Sequence, residues 1–230
     1  MDKSGAVSST GHQRGVLIEA DLVVLSGMER FFDVCVARLA KEGIKLSRDM
    51  FLRFLFGKSL ARGMASLLEK TGKTGDAPAL VADCSVAYLE SLQKADSKAR
   101  DGVLTFAKDV AARGVKVGLI TQLPEELAKQ VFADVLDDNV VTITETPHNA
   151  CLHGWEGWRR AARKLQVGER LCVAISSPAS ARGALAASMR LAVVLDPMQE
   201  HFDCGGADLI VESFTPAVRT AALGLLKIEE

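Results

Sequence analysis

The sequence lacks the long apolar runs and the one-sided charge that mark membrane proteins and nucleic-acid-binding proteins. No apolar stretch approaches the ~18 residues that a membrane-spanning helix needs. The net charge of −1 offers no electrostatic footprint for nucleic acid or for an anionic membrane. We therefore expect neither of these partners. The 230 residues, 48% hydrophobic and 25% charged, predict a soluble globular protein with a full core.

The C-x-x-C pairs of zinc sites and the even cysteine number of a disulfide framework are also missing. The five cysteines are odd in number and scattered, mostly within apolar runs: Cys35, Cys84, Cys151, Cys172 and Cys204. Buried reduced thiols are the expected state, which predicts the cytoplasm or another reducing compartment. His148, Cys151 and His153 lie close together, and His201 lies three residues before Cys204. This spacing suits zinc, but no C-x-x-C pair accompanies it, so we predict no metal site.

The N-terminus lacks the apolar segment of a secretory signal peptide. Residues 1–14 are polar, and we predict a flexible leader there. Their Ser, Thr and Arg content leaves open a transit peptide that is removed inside an organelle.

Short apolar segments alternate with helical patterns over most of the chain. A first strand and its exit loop are expected within residues 15–25, and residues 28–100 show helical periodicity only. Further strands are predicted at residues 117–120, 140–142, 171–174, 191–195 and 209–211. Such strands between helices indicate a parallel sheet covered on both faces. The predicted fold is α/β, a doubly wound (Rossmann-like) parallel sheet formed by residues 15–27 and 101–230, with an inserted all-helical cap domain of residues 28–100.

Two acidic residues close the first predicted strand. Glu19 and Asp21 follow the apolar run 15–18 and are separated by one residue. In doubly wound sheets, ligands bind outside the carboxyl ends of the strands. Paired carboxylates at that edge suit a nucleophile and an acid/base group in phosphoryl transfer. A plain structural role, with both acids as polar residues at a strand end, is an equal alternative at this point.

The order of these features resembles the haloacid dehalogenase superfamily. More narrowly, the chain is similar to members with a helical cap after the first motif, such as phosphoglycolate phosphatases and β-phosphoglucomutases. Segments that resemble the family's helices around its later motifs recur in order, at residues 101–103, 112–116, 161–167, 177–179 and 184–189. The resemblance covers about residues 15–226. It implies a phosphatase-type site at the carboxyl end of the first strand.

The family's first motif, Asp-x-Asp-Gly-Thr, is altered in this chain. Glu19 stands at the position of the nucleophile, Asp21 matches the acid/base position, and Leu22 replaces a glycine in a turn. The extra methylene of Glu19 moves the attacking oxygen by roughly 1 Å, a displacement that can cost about a hundredfold in rate. Leu22 is expected to fit poorly where the backbone needs glycine's freedom.

The resemblance also assigns positions for phosphate, lysine and metal. Thr121 matches the hydroxyl that holds the phosphate. The expected lysine is missing at about Leu152, and Ile175 and Ser176, just before Ser177, replace the acids that would bind Mg²⁺. Because Mg²⁺ prefers oxygen ligands with one or two carboxylates, this site loses most of its family ligands.

Two hypotheses about function follow from these replacements. Phosphoryl transfer depends on positioning and charge neutralisation, so the sequence favours a pseudo-phosphatase that needs no cofactor and acts as a binding, scaffold or complex subunit. The alternative is an active phosphatase or hydrolase on a small phosphorylated metabolite, with Mg²⁺. It would use Glu19 as nucleophile, Asp21 as acid/base and Thr121 for phosphate.

Hydroxyl groups precede two of the predicted helices. For Thr121, Ser176 and Ser177 we favour a role as helix N-caps. The same three are phosphate-binding candidates, because helix N-termini that converge at one edge attract anions. A phosphorylated small molecule, a protein partner and a second copy of the chain all remain open as partners.

Overall fold

The fold is built on a parallel sheet, as the apolar segments predicted. The structure, a computed structural model, describes residues 13–56, 59–94, 101–144, 154–199 and 202–227. The strands are β1 Gly15–Glu19, β2 Lys116–Thr121, β3 Val140–Thr144, β4 Cys172–Ser176, β5 Arg190–Val194 and β6 Leu209–Val211. They form one six-stranded sheet in the order β3-β2-β1-β4-β5-β6, and every pairing is parallel. The predicted α/β, doubly wound fold class is confirmed.

Helices cover the sheet and fill the interval between the first two strands. That interval contains α1 Gly27–Lys41, α2 Arg48–Met50, α3 Leu60–Thr71 and α4 Ala77–Gln93. The later helices are α5 Asp101–Ala111, α6 Glu125–Val131, α7 Trp155–Lys164, α8 Ala181–Ala186 and α9 Pro216–Leu226. Among the described residues, none of these helices combines the length and apolar character that crossing a bilayer requires. The division of the chain into a core domain and a cap domain stays a prediction.

The central strands β1, β2, β4 and β5 are buried on both faces: consecutive residues point to opposite sides of the sheet, and both sides are covered. In β1, Val16 and Ile18 pack into a large apolar cluster that continues into α1, α3 and α4. Leu17 packs on the other face, in a cluster that includes Trp158 of α7. The all-apolar character of the strands therefore reflects two covered faces.

The strand order brings the carboxyl end of β1 to the centre of one edge. β2 and β3 lie on one side of β1, and β4, β5 and β6 lie on the other. Glu19 pairs with Ile120 of β2, and Ile18 pairs with Ile175 of β4. The ends of β1, β2 and β4 thus meet at the topological switch point, where ligand sites of such sheets are usually found.

The second helix of the insertion is shorter than its apolar pattern suggests. Ser47 caps it, since the N–H of Met50 donates to Ser47 Oγ at 3.2 Å. The α-helical segment ends at Met50, and Phe51–Leu55 continue as a π-helical turn. The next helix packs closely on this turn: a Cβ on Gly63 of α3 would lie 1.9 Å from the carbonyl oxygen of Phe54.

This close approach predicts opposite effects for alanine at two helical glycines. Gly63→Ala should destabilise the protein by about 1–3 kcal/mol, because the backbone of Phe54 must move. Gly224→Ala in α9 should stabilise it by up to about 1 kcal/mol, because nothing lies within 4 Å of the added methyl group and alanine favours a helix. Urea unfolding of both variants measures the difference, and equal effects would contradict the packing described.

Candidate functional site

Glu19 joins the end of β1 to the loop after β4. Its side chain is fully buried. The N–H of Ser177 donates to Oε2 at 2.8 Å, and the hydroxyl of Ser180 donates to Oε1. Both serines belong to the short 3₁₀ turn Pro178–Ser180 and its N-cap. Each oxygen of this carboxyl group is therefore hydrogen-bonded within the protein.

Asp21 makes the corresponding connection to the end of β2. It is also buried. The hydroxyl of Thr121 donates to Oδ1, and the N–H of Gln122 donates to Oδ2 at 2.8 Å. The Thr121 oxygen in turn accepts the N–H of Leu123 at 3.1 Å. We call the connected residues the carboxyl cluster: Glu19, Asp21, Thr121, Gln122, Ser177 and Ser180.

A π-helical turn, rather than the expected open loop, follows Glu19. It spans Ala20–Val24, and the N–H of Leu25 donates to the carbonyl oxygen of Ala20 at 3.0 Å. Leu22 is buried within this turn and does not have a positive φ. The expectation that Leu22 would need glycine's freedom is therefore wrong, because this turn has a backbone conformation that leucine adopts without strain.

The first helix of the insertion begins directly against the carboxyl cluster. A Cβ on Gly27 would lie 2.6 Å from the carbonyl oxygen of Asp21 and 2.5 Å from the Tyr88 hydroxyl oxygen. The guanidinium of Arg30 donates from Nε to the carbonyl oxygen of Leu25 at 2.8 Å. The position of α1 is thus coupled to the turn that holds Asp21.

None of the three hydroxyl groups makes the predicted N-cap hydrogen bond, although Ser177 occupies the N-cap position of the turn Pro178–Ser180. Thr121 donates to Asp21, and the N-cap of α6 is Pro124. The Ser176 hydroxyl donates to the carbonyl oxygen of Ser177 at 3.0 Å, and Ser177 makes no side-chain cap bond. Of the three hydroxyl groups, that of Thr121 is used by a tertiary partner and that of Ser176 by the neighbouring residue. Their candidacy for phosphate stays a prediction.

Of the positions at which the family's residues are replaced, the structure describes Ile175 but not Leu152. Ile175 is a buried strand residue of β4, paired with Ile18 and Ala192. Leu152 lies outside the described residues, as do four residues considered for zinc: His148, Cys151, His153 and His201. In the described part of the chain, no group of three or more His, Cys, Asp or Glu side chains is placed to hold a metal ion.

Sequence reasoning missed two polar residues at this edge. Ser180 had a signal, since it is the third serine within five residues after a buried strand. Gln199 had none, yet it is buried in the turn after β5. Its Oε1 accepts the N–H of Ala179 at 2.9 Å, which ties the loop after β5 to the loop after β4.

Burial dominates the electrostatics of the two acids. Loss of hydration raises the pKa of Glu19 to about 7, and the hydrogen bonds from Ser180 and Ser177 offset only part of this effect. Burial likewise raises the pKa of Asp21 to about 6, against the hydrogen bonds from Thr121 and Gln122. Both groups therefore titrate near neutral pH, and above pH 7 both carry buried negative charge.

The groups around Glu19 do not fit a resident Mg²⁺ ion. Mg²⁺ takes oxygen ligands in near-octahedral geometry, usually with one or two carboxylates. Here an N–H and a hydroxyl proton occupy the two oxygens of Glu19. β4 ends in Ile175 and Ser176, which supply no carboxylate. A cation would have to share these oxygens with donors that already hold the carboxyl group, and Glu19 would be its one carboxylate from β1 and β4.

Comparison with solved structures finds the same fold in several proteins, among them a hydrolase and a putative β-phosphoglucomutase. A haloacid dehalogenase hydrolase of family IA, variant 3, from Entamoeba histolytica has a TM-score of 0.70 and 17% identity, covering 94% of this chain and 100% of that one. A putative β-phosphoglucomutase from Bacteroides vulgatus has a TM-score of 0.68 and 18% identity, with coverage of 94% and 91%. CbbY from Rhodobacter sphaeroides, in complex with phosphate, has a TM-score of 0.66 and 19% identity, with coverage of 94% and 100%.

The sequence alone gives no such match. Neither a protein-family model nor a curated protein sequence matches this chain. The structural likeness is therefore one of fold: the chain has the fold of the haloacid dehalogenase-like hydrolases, as the order of its motifs implied.

Glu19→Gln should reduce the pH dependence of stability. Native Glu19 keeps its proton up to about pH 7, whereas the unfolded chain releases it near pH 4.5. The free energy of unfolding therefore falls as pH rises through this window, by on the order of 3 kcal/mol. The amide cannot ionise, so urea unfolding at pH 5 and pH 8 should differ less in the variant. Glu212→Gln, the same change at an exposed site, should behave like the wild type. An unchanged pH dependence in Glu19→Gln would contradict the assignment.

Ser180→Ala should destabilise the protein more at pH 8 than at pH 5. The variant removes one of the two donors to Glu19, and a hydrogen bond to a buried carboxylate contributes about 1.5–3 kcal/mol. At pH 5 the carboxyl group is protonated and needs the donor less. Thermal unfolding at both pH values measures this, with the exposed Ser213→Ala as control. An equal loss at both pH values would show that Ser180 acts by packing alone.

Proposed function

We propose that this chain is a pseudo-phosphatase: it has the fold of a phosphatase-type hydrolase, lacks the chemistry, and acts by binding. The observation that carries the proposal is the state of the two acids at the switch point. All four of their carboxyl oxygens accept hydrogen bonds from the protein itself. A carboxyl group held in this way has a structural role.

A nucleophile needs a carboxylate oxygen directed at the phosphorus atom, about 3–3.5 Å away. The two oxygens of Glu19 are directed at Ser177 and Ser180 instead. An acid/base group needs a similar opening toward the substrate, and Asp21 is directed at the end of β2. This supports the absence of turnover at either acid.

The same hydrogen bonds also use a group that would bind the phosphoryl group of a substrate. A hydroxyl group has one proton to donate, and Thr121 donates its proton to Asp21. In the described residues, the donors to the two acids are uncharged hydroxyl and amide groups, so no cation neutralises charge there. Phosphoryl transfer relies on such neutralisation.

The carboxyl cluster instead stabilises the edge at which a ligand or partner would bind. It joins the loops after β1, β2 and β4 through buried hydrogen bonds, which hold these three loops together. We infer that this fixed edge presents a binding surface, for a protein partner or for a phosphorylated metabolite.

Phosphatase assays test this proposal directly. With Mg²⁺ and p-nitrophenyl phosphate or a panel of sugar phosphates, hydrolysis by the wild type should not exceed that of Glu19→Gln, because neither protein has a free nucleophile. Circular dichroism of the variant confirms that it is folded. Mg²⁺-dependent turnover that disappears in both Glu19→Gln and Asp21→Asn would overturn the proposal in favour of the active hydrolase.

Thermal unfolding in the presence of phosphate and the same sugar phosphates separates the two kinds of binding. Stabilisation without turnover favours a phosphorylated metabolite as the ligand. An unchanged melting temperature favours a protein partner.

A further inference from the structure

The first and last helices of the insertion, α1 and α4, pack against each other in a fixed antiparallel register. Near the start of α1, the rings of Phe31 and Tyr88 have centroids 5.2 Å apart. About two turns further along α1, Arg38 Nη1 lies 3.5 Å from Asp83 Oδ2. From the first contact to the second, the residue numbers rise along α1 and fall along α4. The two helices are therefore antiparallel, and the residues that lie between the two contacts on α1 face those between the same contacts on α4.

Cys35 and Cys84 occupy the level between the two contacts. Cys35 lies four residues after Phe31, and Cys84 lies four residues before Tyr88, so each cysteine is one turn from its aromatic neighbour. Both thiols are fully buried in the same apolar cluster and are hydrogen-bonded to each other. Packed helices have axes about 8–10 Å apart, which leaves about 3.5–5.5 Å between facing Cα atoms. This overlaps the range of about 4.4–6.8 Å found across disulfides.

We propose that Cys35 and Cys84 form a redox-active dithiol that hydrogen peroxide oxidises to a disulfide between α1 and α4. One thiolate attacks a peroxide oxygen, the O–O bond breaks, and the departing hydroxide takes a proton to become water. The resulting sulfenic acid is attacked by the second thiol, and its S–O bond breaks to release a second water. Two thiols and one peroxide thus become one disulfide and two waters.

Cys84 is the thiol that reacts first. The hydrogen bond from Cys35 lowers the pKa of Cys84, and the nearby charge of Arg38 lowers it further, against burial and Asp83. Burial has the opposite effect elsewhere: it raises the pKa of Cys172 to about 12 and also raises that of Cys204.

The ion pair between Arg38 and Asp83, which lies next to the dithiol, is where we expect hydrogen peroxide to enter. The side chains of Arg38 and Asp83 are 29% and 48% exposed, so this contact is at the surface. A surface ion pair contributes little to stability and opens readily. Asp83 precedes Cys84 in the chain and Arg38 lies three residues after Cys35, so opening the pair loosens the surface next to both cysteines.

The disulfide would lock the insertion independently of the carboxyl cluster. It closes the segment 36–83, which contains α2 and α3, and so restricts the unfolded chain. The inference does not rest on the proposed function, since it requires neither catalysis nor ligand binding.

Peptide mapping of the full-length protein tests the proposal. Reduced protein, freed of reductant, is treated with hydrogen peroxide and digested with trypsin without reduction. Cleavage at Lys and Arg should give peptide 31–38 joined to peptide 74–94, two hydrogens lighter than their sum. The melting temperature should rise by about 5 °C or more and return on addition of dithiothreitol.

Variants identify the residues responsible. Cys35→Ser and Cys84→Ser should each lose the joined peptide and the reversible rise in melting temperature, whereas Cys172→Ser, at another buried cysteine, should keep both. If a variant fails to fold, the peptide map of the wild-type protein still tests whether Cys35 and Cys84 are joined. Oxidation that consumes thiols without giving the joined peptide, or that joins other cysteines instead, would overturn the proposal.

Discussion

Two carboxyl groups buried at the centre of the sheet edge must each find hydrogen-bond donors, and the loops around them are arranged to provide these. A buried carboxylate without donors would be too costly to keep in a folded protein. Glu19 takes its donors from the loop after β4, and Asp21 takes its donors from the end of β2. Satisfying the two acids therefore fixes the relative positions of three strand ends. The start of α1, which packs on the Asp21 carbonyl, is coupled to the same arrangement.

The same residue types serve catalysis or structure depending on where their oxygens are directed. A glutamate is one methylene longer than an aspartate, and here that length lets Glu19 reach the Ser180 hydroxyl across the sheet edge. The loop after β4 offers hydroxyl and N–H donors, which a carboxylate accepts and a cation does not. The longer acid and the serine-rich loop are thus complementary, and this complementarity supports the proposed loss of phosphatase chemistry.

Much of the fold was predictable because short apolar strands buried on both faces leave an unmistakable pattern. β6 has the predicted bounds of residues 209–211. The π-helical turns were not predictable, since Ala20–Val24 has no periodicity that separates it from a loop. The partners of the cluster were not predictable either. Asp21 and Thr121 are one hundred residues apart, so a local pattern suggested an N-cap where a tertiary hydrogen bond formed.

Calorimetric titration with Mg²⁺ at pH 8 tests the central claim most directly. At that pH both acids are above their raised pKa values of about 7 and about 6, so a metal site built on them would bind at its strongest. If the carboxyl oxygens are committed to internal donors, the wild type should show no saturable heat beyond that of Glu19→Gln. Saturable Mg²⁺ binding in the wild type that disappears in Glu19→Gln would contradict the account.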